Sequence, residues 1–296
     1  MKSTKNYVVA AGIAAFSLIL LDKASKKVPK TVRYPISSDK LSAPMRFAVI
    51  ADLHSCRYGP CQKTLIAAVK KENPDAVLFA GDIVDDQIPP DDAYLLFRRL
   101  AKAFPCYYVS GNHEFRTGHI DAIKRKLRLF GVTVLEGDTV ALSGGEIALS
   151  GVDDPACFSK GSDRFGWRRE LERCRRTAKP GAYRILLSHR PERVQAYAKS
   201  GADLVVCGHA HGGQVRIPFL LNGLYAPKQG LFPKYAGGYY RLTEKTAMVV
   251  SRGLSRIRLP RIFNPPELVV IDLLPAGGKD VPLDPVPLDP IQSGRD

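Results

Sequence analysis

Short apolar runs alternate with longer stretches of helical periodicity through most of this chain, and this alternation restricts the folds that it can adopt. From Arg46 onward the runs are bounded by Gly, Asp, Asn or Pro and are rich in β-branched residues, which is typical of β-strands. The sequence predicts strands at residues 47–51, 76–80, 107–109, 132–135, 147–150, 184–187, 204–207, 247–250 and 268–271. It predicts helices at residues 62–71, 93–103, 120–130, 164–176 and 192–200.

Strands and helices that alternate in this way indicate an α/β fold built in layers. Residues 76–80 are apolar at every position, so we expect both faces of their sheet to be covered. In such folds, ligand sites form at the carboxyl ends of the strands. Reactive side chains that directly follow these runs are therefore candidates for a functional site.

Four short motifs at the ends of such runs contain five of the six histidines of the chain. Because histidine is scarce elsewhere, this concentration indicates metal and proton chemistry. Imidazole, carboxylate and amide oxygen together suit divalent ions such as Mn, Zn or Fe. The four histidine motifs, and a fifth motif that supplies a carboxylate, are Asp52-Leu53-His54, Gly111-Asn112-His113-Glu114, Ser188-His189, Gly208-His209-Ala210-His211 and Gly81-Asp82.

Each motif taken alone also has a structural explanation. A single D-x-H or G-D sequence is common, and G-N-H-E describes a turn with a helix cap equally well. Joint occurrence at strand ends favours a metal site, with Asp82 as the carboxylate that two ions share. Asp52 and His54 would face opposite sides of a regular strand, so both can reach one ion only if the chain turns there. His119 lies outside any motif and is expected to be solvated.

Together the five motifs resemble the sequence blocks of calcineurin-like metallophosphoesterases, and the resemblance covers roughly residues 46–273. It implies a four-layer α/β/β/α sandwich with two metal ions. By this resemblance, the first metal is held by Asp52, His54, Asp82 and His211, and the second by Asp82, Asn112, His189 and His209. His113 would bind no metal and would be the catalytic residue that faces the substrate.

The implied reaction is metal-assisted hydrolysis of a phosphoester, in which a water activated by two ions attacks phosphorus and His113 assists the leaving oxygen. Gln214 and the segments 252–254 and 266–268 are similar to a membrane-associated bacterial branch. That branch includes phosphodiesterases and UDP-2,3-diacylglucosamine pyrophosphohydrolases. Arg57, Arg116 and Arg190 adjoin the motifs and are candidates to bind substrate phosphates, with a solvent-facing position as the alternative for each.

The chain is strongly basic, with a net charge of +15 and a pI near 9.6. This charge favours polyanions, anionic lipid head groups or phosphorylated substrates, and does not choose among them. The six cysteines match no metal-binding spacing, and their usage favours a reducing compartment.

The ends of the chain are expected to lie outside the catalytic domain. Residues 1–27 are predicted to be an uncleaved membrane anchor, because residues 7–21 are apolar apart from Ser17 and have lysines on both sides. A helix of this length spans only ~22 Å, so snorkelling lysines would complete the span. The heavier lysine cluster after the run favours a cytoplasmic domain. Residues 28–44 are predicted as a linker, 45–274 as the phosphoesterase domain and 275–296 as a disordered Pro-rich tail.

Three functions are compatible with these features. The first is a membrane-tethered phosphodiesterase or pyrophosphohydrolase that acts on a lipid- or nucleotide-linked substrate, with two divalent ions for which Mn is favoured and Zn, Fe or Mg are alternatives. The second is a nuclease, although no nucleic-acid-binding module is recognisable. The third is a non-catalytic scaffold, which would be expected to have lost ligands that this chain keeps. We therefore expect an enzyme with a phosphoester substrate and a membrane as its partners, and no specific nucleic acid.

Overall fold

Two six-stranded sheets form the framework of the computed structural model, which describes residues 28–158, 165–217, 220–256 and 261–277. The first sheet has the order β1-β14-β2-β3-β4-β5. Its strands β2 to β5 are parallel, and β14 lies antiparallel to β2 and parallel to β1. These strands are β1 (Lys30–Ser38), β2 (Met45–Ile50), β3 (Ala76–Ala80), β4 (Cys106–Val109), β5 (Thr133–Val134) and β14 (Glu267–Pro275).

The second sheet has the order β12-β13-β9-β8-β7-β6, with a parallel centre and an antiparallel strand at each edge. A separate two-stranded hairpin, β10 and β11, lies between β9 and β12 in the sequence. These strands are β6 (Asp138–Leu142), β7 (Ile147–Gly151), β8 (Tyr183–Leu187), β9 (Leu204–Cys207), β10 (Tyr225–Ala226), β11 (Gly230–Leu231), β12 (Gly238–Arg241) and β13 (Ala247–Val250).

Helices cover the outer face of each sheet. Buried side chains of α1, α2 and α4 pack on the first sheet, and those of α5 and α6 pack on the second. The short helix α3 directly follows β4. The helices are α1 (Lys63–Glu72), α2 (Asp91–Ala101), α3 (Asn112–Arg116), α4 (Ile120–Leu129), α5 (Gly166–Thr177) and α6 (Val194–Lys199).

The uninterrupted apolar sequence of β3 follows from this layering. Leu78 points into the core between the two sheets, where it joins side chains such as Ile185 of the second sheet. Val77 and Phe79 point the other way, into the core beneath the helices. Because both faces of the strand are buried, every position favours an apolar residue. The predicted four-layer α/β/β/α arrangement is therefore confirmed.

The predicted linker over residues 28–44 is replaced by a strand. Lys30–Ser38 forms β1, which pairs in parallel with β14 at the edge of the first sheet. Tyr34 and Ile36 are 4% and 7% exposed and belong to the core between the sheets. Pro35 obscured this alternation in the sequence, but an edge strand tolerates proline because its outer side needs no ladder hydrogen bonds.

Two predictions concern residues that the structure leaves undescribed. The predicted anchor, residues 1–27, lies outside the described ranges, as does the tail from residue 278 onward. Pro275, which was assigned to the tail, is the last residue of β14. Among the helices in the described ranges, none combines the length and the apolar character needed to cross a bilayer.

Candidate metal centre

The carboxyl ends of five parallel strands bring all five motifs to one edge of the sandwich. Each motif begins one or two residues after its strand ends, where the chain leaves the sheet and its side chains become free to turn toward the neighbouring motif. The motifs of Asp52, Asp82 and Asn112 follow β2, β3 and β4, and those of His189 and His209 follow β8 and β9. The two sheets thus contribute to a single site.

Asp52, His54 and His211 form a first cluster, in which the potential ligand atoms all lie within 4.8 Å of one another. Asp52 Oδ1 lies 3.7 Å from His211 Nε2. The turn that the sequence required is present: Asp52 and His54 both have φ near 49°, in the left-handed region. A regular strand would direct these two side chains to opposite faces, whereas this turn brings them to the same side.

Asp82, His189 and His209 form a second cluster within the same limit. His189 Nε2 lies 3.1 Å from Asp82 Oδ2 and 3.1 Å from His209 Nδ1. Ligand atoms bound at about 2.0–2.1 Å to one ion lie roughly 3 Å apart when they subtend about 90° at the metal. The three side chains therefore have the spacing of ligands that share one ion.

Asp82 lies between the two clusters. Its Oδ2 is 3.1 Å from His189 Nε2 in the second cluster and 3.8 Å from His54 Nε2 in the first. Burial alone would raise the pKa of Asp82, but His189, His54 and His113 hold it well below its usual range. This carboxylate is thus ionised and faces imidazoles from both sheets.

Hydrogen bonds orient two of the imidazoles so that their Nε2 atoms point into the site. His54 Nδ1 lies 2.8 Å from Asp85 Oδ2, and His189 Nδ1 lies 2.8 Å from the carbonyl oxygen of Ala80. A histidine that binds metal through one nitrogen commonly donates its other N–H in this way. Asp85 was absent from the sequence-based assignment; its only signal was its place three residues after Asp82.

Unpaired polar atoms support the presence of cations at this site. Among the buried side-chain atoms without a hydrogen-bond partner in the described part of the chain are three that belong to predicted ligand residues: His54 Nε2, Asn112 Oδ1 and His209 Nε2. Leaving such atoms unpaired away from water is costly. Burial would lower the pKa of His189, yet Asp82 raises it to about 10. Without metal, a proton on His189 therefore balances part of the buried negative charge. The residues present therefore fit divalent cations.

Glu114 organises the site without belonging to either cluster. Its buried carboxylate accepts hydrogen bonds from the backbone N–H groups of Asp82, Ile83, Val84 and Gly111, at 2.6–3.0 Å. The last of these is the half of a capping box in which the third helical residue bonds the N-cap N–H at the start of α3; Gly111 has no side chain to supply the other half. The helix-cap interpretation of G-N-H-E is thus correct for Glu114, while Asn112 and His113 of the same motif face the site.

His113 lies at the edge of the clusters, with Nε2 3.9 Å from Asp82 Oδ2. Its Nδ1 lies 2.5 Å from Asp86 Oδ1, and its Nε2 lies 3.1 Å from Arg116 Nη1. Because arginine only donates, Nε2 must be the acceptor in this contact. The ring proton is therefore on Nδ1, which donates a hydrogen bond to Asp86. Burial lowers the pKa of His113, while Asp82 and Asp86 oppose that shift.

The three arginines that adjoin the motifs occupy different environments. Arg190 does not face solvent: it is 7% exposed and donates two hydrogen bonds, of 2.7 and 2.8 Å, to Asp154. The solvent-facing alternative is therefore wrong for this residue, and its contact with substrate phosphate stays a prediction. The Arg57 side chain is 70% exposed and pairs with Asp92, whereas Arg116 contacts His113.

The remaining predictions about isolated residues can be placed as well. His119 is exposed at the start of α4, as expected.

A cavity of about 1030 Å³ lies between α5 and α6 and is lined by residues such as Trp167, Leu171 and Arg193. None of the predicted metal ligands lines this cavity, so the chemistry of the site depends on the strand ends and not on that cavity.

Comparison with known proteins agrees with this arrangement. The sequence profile of the calcineurin-like phosphoesterase family matches residues 45–213, which contain all five motifs. This chain belongs to that family. The family accounts for the α/β sandwich and for a site built from Asp, Asn and His at strand ends.

Several curated relatives share most of this chain. An uncharacterized metallophosphoesterase from Helicobacter pylori is 30% identical over 252 residues, which are 83% of this chain and 64% of that protein. The phosphodiesterase YaeI of Escherichia coli is 26% identical over 79% of this chain and 83% of its own length. A transmembrane protein with a metallophosphoesterase domain from Danio rerio is 24% identical over 90% of this chain and 61% of its own length. The chain thus spans 64% of the Helicobacter relative.

Proposed function

We propose that this chain hydrolyses phosphoesters at a dinuclear metal centre. Asp52, His54, Asp82 and His211 would hold the first ion, and Asp82, Asn112, His189 and His209 the second. The observation that carries the proposal is the pair of ligand clusters on either side of Asp82, whose Oδ2 lies 3.1 Å from His189 Nε2 and 3.8 Å from His54 Nε2. Three other buried atoms of the set, His54 Nε2, Asn112 Oδ1 and His209 Nε2, have no hydrogen-bond partner in the described residues. An arrangement made only for stability would pair these atoms with one another or with backbone groups.

The chemistry divides between the ions and the protein. Two bound divalent ions would supply Lewis-acid stabilisation of the phosphoryl oxygens and a water of lowered pKa. Once Arg116 turns away, His113 Nε2 would take up a proton from solvent and give it to the leaving oxygen, while Asp86 holds the ring through Nδ1. Arg116, now 3.1 Å from the same Nε2, would turn to a phosphoryl oxygen when substrate is bound.

We propose manganese as the physiological ion. The two clusters contain imidazoles and carboxylates but no thiolate, and the buried Asn112 oxygen adds a neutral donor. Mixed oxygen and nitrogen ligands of this kind suit Mn, and they also accept Zn, Fe or Mg. Turnover of one chromogenic diester by the metal-free protein after addition of each ion tests this order. Higher activity with Zn at equal occupancy would contradict it.

The substrate is proposed to be a phosphodiester or pyrophosphate linked to a lipid or a nucleotide. The net charge of +15 favours anionic substrates, and the relative YaeI is named a phosphodiesterase. We further propose that residues 1–27 anchor the chain to a membrane with the domain on the cytoplasmic side. An anchored chain should stay with membranes at alkaline pH, and its release would contradict the anchor.

Asp82→Asn tests the dinuclear centre. Loss of the shared carboxylate should remove both ions, because the second set loses its one carboxylate and the first set keeps only Asp52. The measurement is metal content per chain by elemental analysis after dialysis, with hydrolysis of bis-p-nitrophenyl phosphate in parallel. Retention of two ions by Asp82→Asn would contradict the bridge, and a wild-type chain that binds metal without hydrolysing any ester would favour a scaffold.

His113→Ala tests the assignment of the proton donor. We expect normal metal content and a lower kcat that falls most for esters with poor leaving groups, since these need the proton most. His119→Ala is the matched control, because His119 is exposed and outside both clusters. Equal activity of the two variants would remove the assigned role of His113.

A further inference from the structure

An exposed apolar surface lies beside the candidate metal centre. Ten large apolar side chains are exposed in the described part of the chain, and six of them fall between residues 217 and 232. Soluble proteins tolerate scattered apolar side chains, but a local concentration marks a contact surface. We call these six the hairpin surface: Ile217, Leu220, Leu224, Tyr225, Leu231 and Phe232, with exposures of 37–80%.

The hairpin surface is held in a defined conformation. Tyr225 pairs with Leu231 across β10 and β11, and the N–H of Phe232 donates to the carbonyl oxygen of Leu224 at 2.9 Å. Since neighbouring positions on a strand point to opposite faces, the ribbon exposes apolar side chains on both faces. Two strands of this length are not stable alone. The hairpin is held to the rest of the domain by the side chain of Gln229, which forms two hydrogen bonds with the backbone of Tyr235.

The hairpin is attached directly to the metal centre. The N–H of Leu224 donates to the carbonyl oxygen of Gly213, two residues after the predicted ligand His211. Phe263, which is 38% exposed, precedes Asn264, whose side chain donates to the carbonyl oxygen of His211 at 2.8 Å. Whatever the hairpin surface contacts is therefore brought to the edge of the site.

The charge around the hairpin surface selects the partner. The segment that carries the hairpin surface, residues 216–234, contains three basic residues, Arg216, Lys228 and Lys234, and no Asp or Glu. Lys228, at the hairpin turn, and Lys234, just after it, are both exposed. Apolar side chains flanked by lysines suit a bilayer with anionic head groups. A symmetric dimer through the same face would instead bring the lysines of two copies together, which opposes association.

We propose that the hairpin surface inserts into the interface of an anionic membrane. Tyr225, Leu231 and Phe232 would enter the boundary between head groups and acyl chains, and Lys228 and Lys234 would contact lipid phosphates. This contact would present the metal centre to phosphoesters in the head-group layer, so the substrate class, though not the membrane contact, rests on the proposed hydrolase function.

Site-specific tryptophan fluorescence tests this contact in the full chain. Phe232→Trp places a reporter on the hairpin, Leu129→Trp places a matched reporter on α4, and the native Trp167 is 7% exposed in both. Each variant is reconstituted with phosphatidylcholine vesicles with and without phosphatidylglycerol, some carrying brominated acyl chains. We expect brominated lipid to quench Phe232→Trp only when phosphatidylglycerol is present, and to leave Leu129→Trp unquenched. Adding Leu231→Asp to Phe232→Trp should raise the lipid concentration needed for half-maximal quenching roughly tenfold or more.

Three outcomes would overturn the proposal. The first is Phe232→Trp that stays open to aqueous iodide on anionic vesicles, and the second is equal lipid quenching of both reporters. The third is protection of the reporter without vesicles, together with a dimer in light scattering that Leu231→Asp abolishes, which would assign the surface to a second copy of the chain. None of these measurements needs metal or turnover, so failure here is distinct from failure of the proposed hydrolysis.

Discussion

Replacement of Arg190 separates a structural role from a substrate contact at the residue that follows His189. Arg190→Met would leave Asp154, whose side chain is fully buried, without its cation. Asp154 Oδ1 also accepts a hydrogen bond from the backbone N–H of Ala156, at 2.7 Å. Removal of one member of a buried ion pair costs about 3–5 kcal/mol, because the other charge stays desolvated. At about 2–4 °C per kcal/mol, this loss corresponds to a fall of roughly 6–20 °C in the midpoint of thermal unfolding.

The assay combines urea unfolding with hydrolysis of a soluble diester well below the midpoint of the variant. We expect a large loss of stability with an almost unchanged KM, because both guanidinium bonds go to Asp154. The double variant Arg190→Met/Asp154→Leu should recover much of the loss, since an apolar pair leaves no buried charge. Arg57→Met is the control: its side chain is 70% exposed, so its pair with Asp92 should contribute at most about 1 kcal/mol. Normal stability of Arg190→Met with a KM raised roughly tenfold would refute the structural role.

Two further substitutions test burial and backbone strain. Burial raises the pKa of Glu170 from 4.5 to about 7, so the folded chain binds the proton more tightly and the free energy of unfolding falls as pH rises from about 5 to 7. Glu170→Gln should therefore gain up to about 3 kcal/mol relative to wild type between pH 5 and pH 8 in urea titrations, and a constant difference would contradict this. Gly81→Ala places Cβ 2.8 Å from the Gly111 nitrogen at φ 81°, and should lose metal and activity. Gly118→Ala, with φ 73° and nothing within 4 Å, should keep both, and equal loss would assign the effect to φ alone.

Strand prediction was accurate for central strands and missed several strands at the edges of the sheets. Leu204–Cys207 and Ala247–Val250 were predicted with the bounds that the structure gives, because both are buried at every position and end at polar or glycine residues. The strand Asp138–Leu142 was missed: it pairs on one side only, and no residue in it is buried. The edge strand Gly238–Arg241 was missed too, since its glycine start resembles a loop. Edge strands need fewer apolar residues, so their sequences carry a weaker signal.

The same distinction applies to the site. Side chains such as Asp82 and His189 could be assigned from sequence because a short polar motif directly after a buried strand fixes their position. Asp86 and Asp154 could not, since their partners lie about thirty residues away in another loop and pair only after the fold has formed. Sequence thus located side chains that cluster at the strand ends, while the groups that orient them required the tertiary structure.

The backbone of the centre shows that its ligands are positioned by the scaffold. Left-handed φ values in non-glycine residues cost about 1–2 kcal/mol each and persist only where surrounding contacts enforce them. These contacts are hydrogen bonds between motifs: the N–H of His209 donates to Asp52 at 3.0 Å, and the N–H of His113 donates to Asp82 Oδ1 at 2.8 Å. Because protein groups enforce this strain, the ligands should keep their arrangement before metal binds. Five predicted ligands have such φ values: Asp52, His54, Asp82, His209 and His211.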